Sequence, residues 1–283
     1  MDTETAHAPA RRLRPLAEWP RETRAALVGV MTDIDDTLTT DGAITPDALA
    51  ALHALQAAGL HRIAITGRPV GWSLPFAATW PLDALVAENG AVALIPVLQD
   101  DGSTAVERLY RDDAATRADR YERLQRVLRR IEAEIPGAVR ATDSAGRETD
   151  IAIDHSEFVQ LDDRQVAAVV ALMRAEGLHA TVSSIHINGW FGDHDKLVGA
   201  HWVVQALLGR ALAHEPDRWA YVGDSTNDQL MFGALANSIG VANVRRFLAK
   251  LTLWPQYLAL GERGAGFAEV ARAVLAARPA GPG

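Results

Sequence analysis

The amino-acid sequence predicts an α/β protein, in which a Rossmann-like parallel-sheet core contains an inserted α+β cap domain. Two observations support this fold class. Short apolar runs alternate with helical segments in the first and last thirds of the chain, which is typical of βαβ units and of a parallel sheet covered on both faces. In the middle third, apolar and polar residues alternate as they do in half-exposed antiparallel strands.

The composition of the 283-residue chain indicates a soluble protein with a small-molecule partner. It has 48% hydrophobic and 23% charged residues, and its net charge of -8 argues against a nucleic-acid surface, which would need a basic patch. No run of about 18 apolar residues is present, so no membrane span is expected. The absence of cysteine excludes disulfides. Residues 1–23 lack an apolar h-region and are expected to form the tail of a cytoplasmic protein.

The first βαβ unit begins with a strand over residues 26–32, which is apolar on both faces. A helix follows, for which Thr45 is a suitable N-cap and Pro46 a suitable first residue, and Gly59 ends it. A second apolar run ends at Thr66, and the segment "DALVAENG" predicts a third strand. Because the connections are short, these strands are expected to pair in parallel.

The sequence pattern changes after about residue 96. The segment "RADRYERLQRVLRRIEAEIPG" predicts a long arginine-rich helix, and a further helix is expected after a capping box of Asp162 and Gln165. The segments "RETDIAIDHSE" and "TVSSIHINGW" alternate like antiparallel strands. The predicted division is a core of residues 24–96 and 189–283 and a cap of residues 97–188.

Two strands that lie far apart in the sequence both end in aspartates. Asp33 and Asp35 follow the first strand, and Asp224 and Asp228 follow the strand in "RWAYVGDSTND". Ligands of open α/β sheets bind beyond the carboxyl ends of the strands, so these four residues are expected to converge on one site. Two carboxylates about 4 Å apart repel by about 4 kcal/mol at an effective dielectric of about 20, so such a cluster needs a cation. We therefore predict a divalent-metal site for Mg²⁺, which prefers carboxylate oxygens.

Four segments in this order resemble the motifs of the haloacid dehalogenase-like hydrolases. They are "DIDDTL" at residues 33–38, "IAITGR" at residues 63–68, Lys196 in "GDHDKL", and "GDSTND" at residues 223–228. The resemblance extends over roughly residues 26–270. The predicted insertion lies between the second and third motifs, where this family has its type IIB caps, as in the Cof-like, sucrose-phosphate and mannosyl-phosphoglycerate phosphatases.

The first and third motifs each depart from the family pattern at one residue. Residue 36 is Asp where the family commonly has Gly, which is a mild change because Asp tolerates unusual backbone angles better than most residues. Lys196 is followed by Leu where a small residue is usual. Of the 28 lysines and arginines only Lys196 and Lys250 are lysines, so a need for a compact point charge is indicated at residue 196.

The resemblance implies catalytic and metal-binding roles for the matching aspartates. Asp33 would be the nucleophile that forms an aspartyl-phosphate, and Asp35 would protonate the leaving alcohol and then take a proton from water. Mg²⁺ would bind the carboxylates of Asp33 and Asp224 and the main-chain carbonyl of Asp35, while Asp228 and Asn227 would hold a ligand or water nearby.

Phosphate binding is expected at the second and third motifs. By the same resemblance, Thr66 and the amides of Gly67 and Arg68 would bind phosphate oxygens, and Lys196 would neutralise the developing charge. The side chain of Arg68 lies in a loop where solvent and substrate contacts are equally plausible.

Substrate choice is expected to reside in the cap. Ser184, His186 and Asn188 share one face of an alternating strand, where they would either line the sugar side of the pocket or form a solvated face. His155 and Arg147 are weaker candidates.

The acidic turn also has other interpretations. A calcium-binding loop fits poorly because, counted from Asp33, the sixth position is Leu38 rather than Gly and the twelfth is Ile44 rather than Glu. A signalling receiver domain would be shorter and would lack the insertion. A phosphomutase with the same motifs and a non-catalytic sugar-phosphate-binding protein stay open. We predict a Mg²⁺-dependent phosphatase of a small phosphorylated metabolite, with a sugar phosphate as the expected substrate.

Overall fold

The computed structural model describes residues 13–278, and over this range the chain forms a large sheet, a smaller sheet and a two-stranded hairpin. The strands within this range are β1 (Arg14–Pro15), β2 (Gly29–Thr32), β3 (Thr39–Thr40), β4 (Ala43–Ile44), β5 (His61–Ile65), β6 (Ala84–Ala87), β7 (Val92–Leu98), β8 (Thr104–Tyr110), β9 (Val139–Arg140), β10 (Asp150–Asp154), β11 (His179–Val182), β12 (His186–Trp190), β13 (Trp219–Gly223), β14 (Asn237–Gly240) and β15 (Tyr257–Leu258). The α-helices within it are α1 (Arg21–Ala25), α2 (Pro46–Ala57), α3 (Val70–Thr79), α4 (Ala114–Glu134), α5 (Asp163–Ala175), α6 (Lys196–Leu208), α7 (Gln229–Ala234) and α8 (Arg263–Leu275).

The large sheet forms the core and is parallel over most of its width. Its nine strands are ordered β1-β15-β14-β13-β2-β5-β6-β7-β8, and β2 pairs in parallel with both β13 and β5. At one edge, β7 runs antiparallel to β6, and β8 runs antiparallel to β7. Val30 of β2 lies in an apolar cluster with α2 and α8, whereas Met31 lies in another with α6. Burial on both faces explains why this strand is apolar throughout.

The cap is an α+β unit with its own hydrophobic core. Its four strands are ordered β11-β12-β10-β9 and pair antiparallel throughout. Both α4 and α5 pack against this sheet through a cluster of buried apolar side chains that includes Leu128, Ile151 and Met173. The predicted capping box is present at the start of α5, where Asp162 and Gln165 exchange two hydrogen bonds of 2.8 Å between side chain and backbone. The predicted fold class, a Rossmann-like core with an inserted α+β cap, is confirmed.

One strand lies outside the part of the fold to which the predicted division assigns it. β8 falls within the predicted cap range of 97–188 but pairs with β7 in the core sheet. Because β8 is a mostly exposed edge strand, it lacks the continuous apolar run of the buried core strands. The cap sheet itself begins only at β9, so we propose that the cap starts after Tyr110 and ends near Trp190.

Part of the predicted N-terminal tail is folded onto the core. Residues 13–23 include β1, which pairs in parallel with β15, and residues 1–12 lie outside the described part of the chain. Trp19 is buried, and its Nε1 donates a hydrogen bond to Asn237 Oδ1 at 2.9 Å. A two-residue strand is too short to produce a detectable sequence pattern. Among the helices of residues 13–278, none combines the length and the apolarity needed to cross a membrane.

Candidate active site

The turns that follow β2 and β13 meet at one edge of the core sheet. These strands are parallel neighbours, and the amide of Asp33 donates to the carbonyl of Val222 at 2.9 Å. One carboxylate oxygen from each of Asp33, Asp224 and Asp228 lies within 4.8 Å of the other two, and all three residues are buried. The structure thus brings the two acidic turns together at the carboxyl ends of the strands.

The side chain of Lys196 lies among these carboxylates. Lys196 is the first residue of α6, whose N-cap Asp195 accepts a hydrogen bond from the amide of Val198 at 2.8 Å. The Nζ atom of Lys196 lies 2.7 Å from Asp33 Oδ1 and 2.8 Å from Asp228 Oδ1, and Lys196 is 2% exposed. Burial would lower the pKa of Lys196, but the two carboxylates outweigh burial and raise it, so the ammonium group stays charged.

Asp228 organises the second acidic turn. Its Oδ2 accepts hydrogen bonds from the amides of Asp224 at 2.9 Å and Ser225 at 3.0 Å. Its Oδ1 accepts from the hydroxyl of Tyr221 and from Lys196. Both carboxylate oxygens of Asp228 already have hydrogen-bond partners. Asp228 is therefore better suited to orient Lys196 and the turn than to bind a metal ion directly.

Asp224 and Asp33 form the part of the cluster that fits a cation. Asp224 Oδ2 accepts a hydrogen bond from Asn243 at 3.0 Å, whereas its buried Oδ1 has no hydrogen-bond partner among the described residues. Burial, together with Asp228 and Asp33, raises the pKa of Asp224 well above its usual range. Burial also raises the pKa of Asp33 to about 7, although Lys196 opposes this shift. The unpaired oxygen and the excess negative charge fit a hard divalent cation such as Mg²⁺.

Asp35 lies near this cluster, but its side chain pairs with Arg68, whereas those of Asp33 and Asp228 pair with Lys196. Arg68 donates to Asp35 through Nε and Nη2, each at 3.0 Å. The same guanidinium donates to Asp143 at 3.1 Å and to Glu157 at 2.7 Å, and Arg68 is 5% exposed. The side chain of Arg68, for which the sequence leaves solvent and substrate contact equally open, therefore joins a core carboxylate to two carboxylates of the cap. The Asp35 carboxylate is not one of the three clustered carboxylates. This position is compatible with the expectation that Asp35 contacts Mg²⁺ through its main-chain carbonyl and not through its side chain.

The turn after β5 places Thr66 and Gly67 against the cap. Thr66 is fully buried, and its Oγ1 accepts a hydrogen bond from the amide of Arg68 at 3.0 Å. The carbonyl of Gly67 accepts from Arg147 at 3.0 Å and from Asn188 Nδ2 at 3.2 Å. A Cβ on residue 67 would lie only 3.2 Å from the amide oxygen of Asn188, so glycine permits this close approach.

Arg147 and Asn188 also bind one buried carboxylate of the cap. Arg147 Nη1 donates to Asp150 Oδ1 at 2.7 Å, and Asn188 Nδ2 donates to Asp150 Oδ2 at 3.0 Å. Burial raises the pKa of Asp150 to about 7 even though Arg147 opposes this shift. Asn188, predicted to line the substrate pocket or a solvated strand face, instead holds the cap against the turn that contains Thr66 and Gly67.

The remaining candidate residues of the cap, His186, Ser184 and His155, lie on β12 or near its start. His186 is 2% exposed, and its Nε2 lies 2.8 Å from Glu157 Oε2. Ser184 is half-buried and lies in the bend between β11 and β12. His155 Nε2 lies 3.1 Å from the carbonyl oxygen of Ser183. His186 and Asn188 of β12 are therefore turned towards the protein rather than towards solvent, whereas the prediction that Ser184 shares their strand face is wrong because β12 begins only at His186.

A cavity of about 500 Å³ lies between core and cap beside Asp35. Its charged lining residues are Asp35, Asp36, Asp41, Arg68, Glu157 and Arg263. Arg263 Nη1 donates to Asp41 at 2.7 Å, and its Nε lies 3.1 Å from Asp36 Oδ1. Asp33 is not among the lining residues, but Asp35, two residues later in the same turn, is.

Three residues of the site are not among those expected from the sequence. Asn243 donates to Asp224, while Asp143 and Glu157 bind Arg68 from the cap. Asn243 follows β14, which is the parallel neighbour of β13, so its position beyond a strand end was an available signal. Asp143 and Glu157 act across two domains, and sequence periodicity gives no signal for such contacts.

Comparisons with known proteins agree with this geometry. A family model described as haloacid dehalogenase-like hydrolase matches residues 30–117. No curated protein sequence matches the chain.

Solved structures of similar fold come from several organisms. The C-terminal domain of C. albicans trehalose-6-phosphate phosphatase aligns with a TM-score of 0.65 at 14% identity, covering 95% of this chain and 99% of that one. Sucrose-phosphatase from Synechocystis, solved with sucrose and phosphate, has a TM-score of 0.62 at 16% identity and coverages of 87% and 97%. Protein 0175 from Thermoplasma acidophilum has a TM-score of 0.63 at 14% identity, with coverages of 88% and 98%.

The core, the cap and the paired acidic turns define an α/β protein with an inserted cap and a buried acidic site at the edge of its parallel sheet. The similar structures show the shared fold, and the family model matches the segment that contains the first two motifs. The predicted resemblance to the haloacid dehalogenase-like hydrolases is therefore confirmed over residues 30–117, and the similar structures show that the fold of the whole chain is shared.

Proposed function

We propose that this protein is a phosphatase that hydrolyses a small phosphorylated metabolite. The observation that supports it is the position of the Asp33 carboxylate. It is buried at the edge of the sheet where α/β proteins bind ligands, 2.7 Å from Lys196 Nζ and within 4.8 Å of Asp224. The family model, which describes a hydrolase, supports the same class of reaction.

Asp33 is proposed as the nucleophile. One of its carboxylate oxygens forms a bond to phosphorus, while the bond from phosphorus to the leaving oxygen breaks. Lys196 Nζ holds the nucleophile in place and offers positive charge to the phosphoryl oxygens in the transition state. Water then attacks the aspartyl-phosphate, which releases inorganic phosphate and restores Asp33.

Asp35 is proposed as the acid and base of these two steps. It gives a proton to the leaving alcohol and later takes one from the attacking water. The hydrogen bonds from Arg68 fix its carboxylate, and its partners differ from those of Asp33, as two carboxylates with different roles require. Thr66 and the amide of Gly67 are proposed to bind phosphate oxygens.

Mg²⁺ is the proposed cofactor. The carboxylates of Asp33 and Asp224 and the main-chain carbonyl of Asp35 would hold it, and Asp228 would remain bound to Lys196. When bound, Mg²⁺ supplies positive charge to phosphate oxygens beyond what Lys196 provides.

A sugar phosphate is the proposed class of substrate. Two of the similar structures are named trehalose-6-phosphate phosphatase and sucrose-phosphatase. The cavity beside Asp35, of about 500 Å³, has the size of a small-molecule site, and its carboxylates can accept hydrogen bonds from sugar hydroxyls.

A phosphate-release assay tests this proposal. The protein is incubated with Mg²⁺ and either p-nitrophenyl phosphate or a panel of sugar phosphates. Asp33→Asn should lower kcat by about 10³-fold or more, because an amide cannot act as the nucleophile, while circular dichroism shows an intact fold. EDTA should abolish release and added Mg²⁺ should restore it. Asp119→Asn makes the same change at an exposed position of α4 and should keep full activity.

Each alternative function gives a different result in this assay. Turnover that survives in Asp33→Asn or in EDTA would reject the mechanism. An isomerised ester without free phosphate would identify a phosphomutase, and a bound but unchanged sugar phosphate would identify a non-catalytic binding protein.

A further inference from the structure

We propose that the cavity beside Asp35 selects phosphate esters whose leaving group is neutral or positively charged, such as a polyol or an amino sugar, and disfavours those with a second anionic group. This inference rests on the proposed function, because it concerns the substrate of the same site. It follows from the number and the pairing of the charged groups around the cavity.

The leaving group of a bound ester is assigned to this cavity because Asp35 forms part of it. Asp35, proposed to protonate the leaving oxygen, forms part of its wall, and the buried Asp33 is two residues earlier in the same turn. The cap forms the opposite wall through Glu157 and Phe158. A group attached to the phosphate therefore contacts residues of both domains.

Carboxylates outnumber cations around the cavity. The wall contains four carboxylates and two guanidiniums, from Asp35, Asp36, Asp41, Glu157, Arg68 and Arg263. A fifth carboxylate, Asp143, lies 3.1 Å from Arg68, and His186 lies 2.8 Å from Glu157. Even with a protonated His186, five carboxylates are present against three cations.

The two guanidiniums are already occupied by protein carboxylates. Arg68 donates to three of them, and Arg263 donates to Asp41 at 2.7 Å with its Nε 3.1 Å from Asp36. A carboxylate or second phosphate on the substrate would have to share a guanidinium that already pairs with protein carboxylates. Hydroxyl and ammonium groups can instead donate to the carboxylates that surround them.

The excess negative charge persists near neutral pH. Burial would raise the pKa of Glu157, but hydrogen bonds from His186 and Arg68 outweigh burial and lower it to about 2. With Asp35 counted as protonated, as its proposed role as the acid requires, four carboxylates still stand against the two guanidiniums and His186.

Three phenyl phosphates that differ in one para substituent test this selectivity. The substituents are hydroxymethyl, aminomethyl and carboxylate, which leave the acidity of the phenol similar, and the esters are compared at pH 7 with Mg²⁺. We expect kcat/KM for the carboxylate ester to be about 10- to 100-fold below that for the hydroxymethyl ester, at about 1.4 kcal/mol per tenfold. The aminomethyl ester should react at least as well as the hydroxymethyl ester. High salt should narrow these differences because it screens charge.

Variants of Glu157 locate the selectivity in this cavity. Glu157→Gln removes one carboxylate and releases N–H groups of Arg68, so the carboxylate ester should gain about tenfold relative to the hydroxymethyl ester. Glu157→Asp keeps the charge and should keep the selectivity. Glu107→Gln makes the matched change on the exposed strand β8 and should leave all three values unchanged.

The inference and the proposed function fail in distinguishable ways. Equal kcat/KM for the three esters, a preference for the carboxylate ester, or an unchanged ratio in Glu157→Gln would overturn the inference while phosphate release still supports the phosphatase. No release from these three esters, from p-nitrophenyl phosphate or from the panel of sugar phosphates would overturn the proposed function itself.

Discussion

At the scale of single residues, the site holds like charges close together. Asp33, Asp224 and Asp228 have oxygens within 4.8 Å of one another, and burial removes the water that would screen them. Lys196 offsets part of the repulsion because its compact ammonium contacts two of these carboxylates, at 2.7 and 2.8 Å. The negative charge that remains is what a divalent cation would balance.

Asp36 occupies a backbone position that glycine usually takes in this family. Its φ is +54°, in the left-handed region that Asp enters more readily than most residues. The departure from the motif is therefore compatible with the turn. Its carboxylate also lies 3.1 Å from Arg263 Nε, a contact that glycine could not make.

The buried ring of His194 leads to a prediction about stability and pH. Burial, assisted by Arg111 and Arg120, lowers the pKa of His194 from 6.5 to about 3. Below pH 6.5 the unfolded chain gains a proton at this residue and the folded protein does not. The free energy of unfolding should therefore fall as the pH falls from 6.5 towards 3, by up to about 1.4 kcal/mol per pH unit from this residue.

Urea unfolding at pH 7, 6 and 5 measures this dependence. His194→Gln should show a shallower loss of stability than the wild type on acidification, and His53→Gln, at an exposed position of α2, should show the wild-type loss. Equal losses for wild type and His194→Gln would contradict the prediction.

At the scale of secondary-structure elements, two glycines allow the first turn of α6 to pack closely against the turn that follows β6. A Cβ on Gly199 of α6 would lie 2.5 Å from the Cα of Gly90, and a Cβ on Gly90 would clash with the carbonyl oxygen of Asp195. Gly90 also has a φ of +109°. The close contact that these glycines allow places Lys196, at the first position of the helix, beside the carboxylates.

A second glycine pair predicts that cap position is sensitive to one added methyl group. A Cβ on Gly71 of α3 would lie 2.8 Å from the Cα of Gly146 in the cap. Gly71→Ala should displace the cap and lower kcat/KM by about tenfold, because misplaced groups lose catalytic alignment. The free energy of unfolding should change by no more than about 1 kcal/mol, since alanine favours the helix by a similar amount.

Steady-state kinetics combined with urea unfolding checks this prediction. Gly146→Ala should act in the same way, because a Cβ there would lie 3.0 Å from the Cα of Gly71. Thr79→Ala, at the exposed end of α3, should leave the kinetics unchanged. Normal kinetics in both glycine variants would show that this contact does not determine cap position.

At the scale of the whole molecule, one buried carboxylate joins core and cap. Glu88 follows β6, and its Oε1 accepts hydrogen bonds from the amides of Val70 at 3.0 Å and Glu148 at 2.9 Å. Its Oε2 accepts from the amide and the hydroxyl of Thr149. Four donors, one at the start of α3 and three where the cap chain approaches β10, therefore depend on a single side chain.

Removal of this carboxylate should destabilise both domains. Glu88→Ala leaves four donors without their acceptor, so the free energy of unfolding should fall by at least about 3 kcal/mol in urea titrations. Amide hydrogen exchange at residues 148 and 149 should become faster. Glu107→Ala, on the exposed strand β8, should change stability by no more than about 0.5 kcal/mol. A loss below about 1 kcal/mol for Glu88→Ala would refute this role.

Local sequence patterns predict the buried strands, the helices and the residues that follow the strand ends. Asp33 and Asp224 could be assigned to one site because each follows an apolar strand and parallel neighbours share an edge. The contacts of Arg68 with Asp143 and Glu157 could not be predicted, because they join residues 75 and 89 positions apart in two domains. The edge strands β1 and β8 escaped assignment because one is too short for a pattern and the other is too exposed to resemble a buried core strand.

The docked segment before β2 matters to anyone who shortens this chain for expression. Trp19 donates to Asn237, its ring centroid lies 5.7 Å from that of Tyr257, and β1 covers the free side of β15. A recombinant chain that starts at residue 24 would lack Trp19 and β1. The edge of β15 would then be exposed and available for self-association. Recombinant versions should therefore retain the residues from Leu13 onwards.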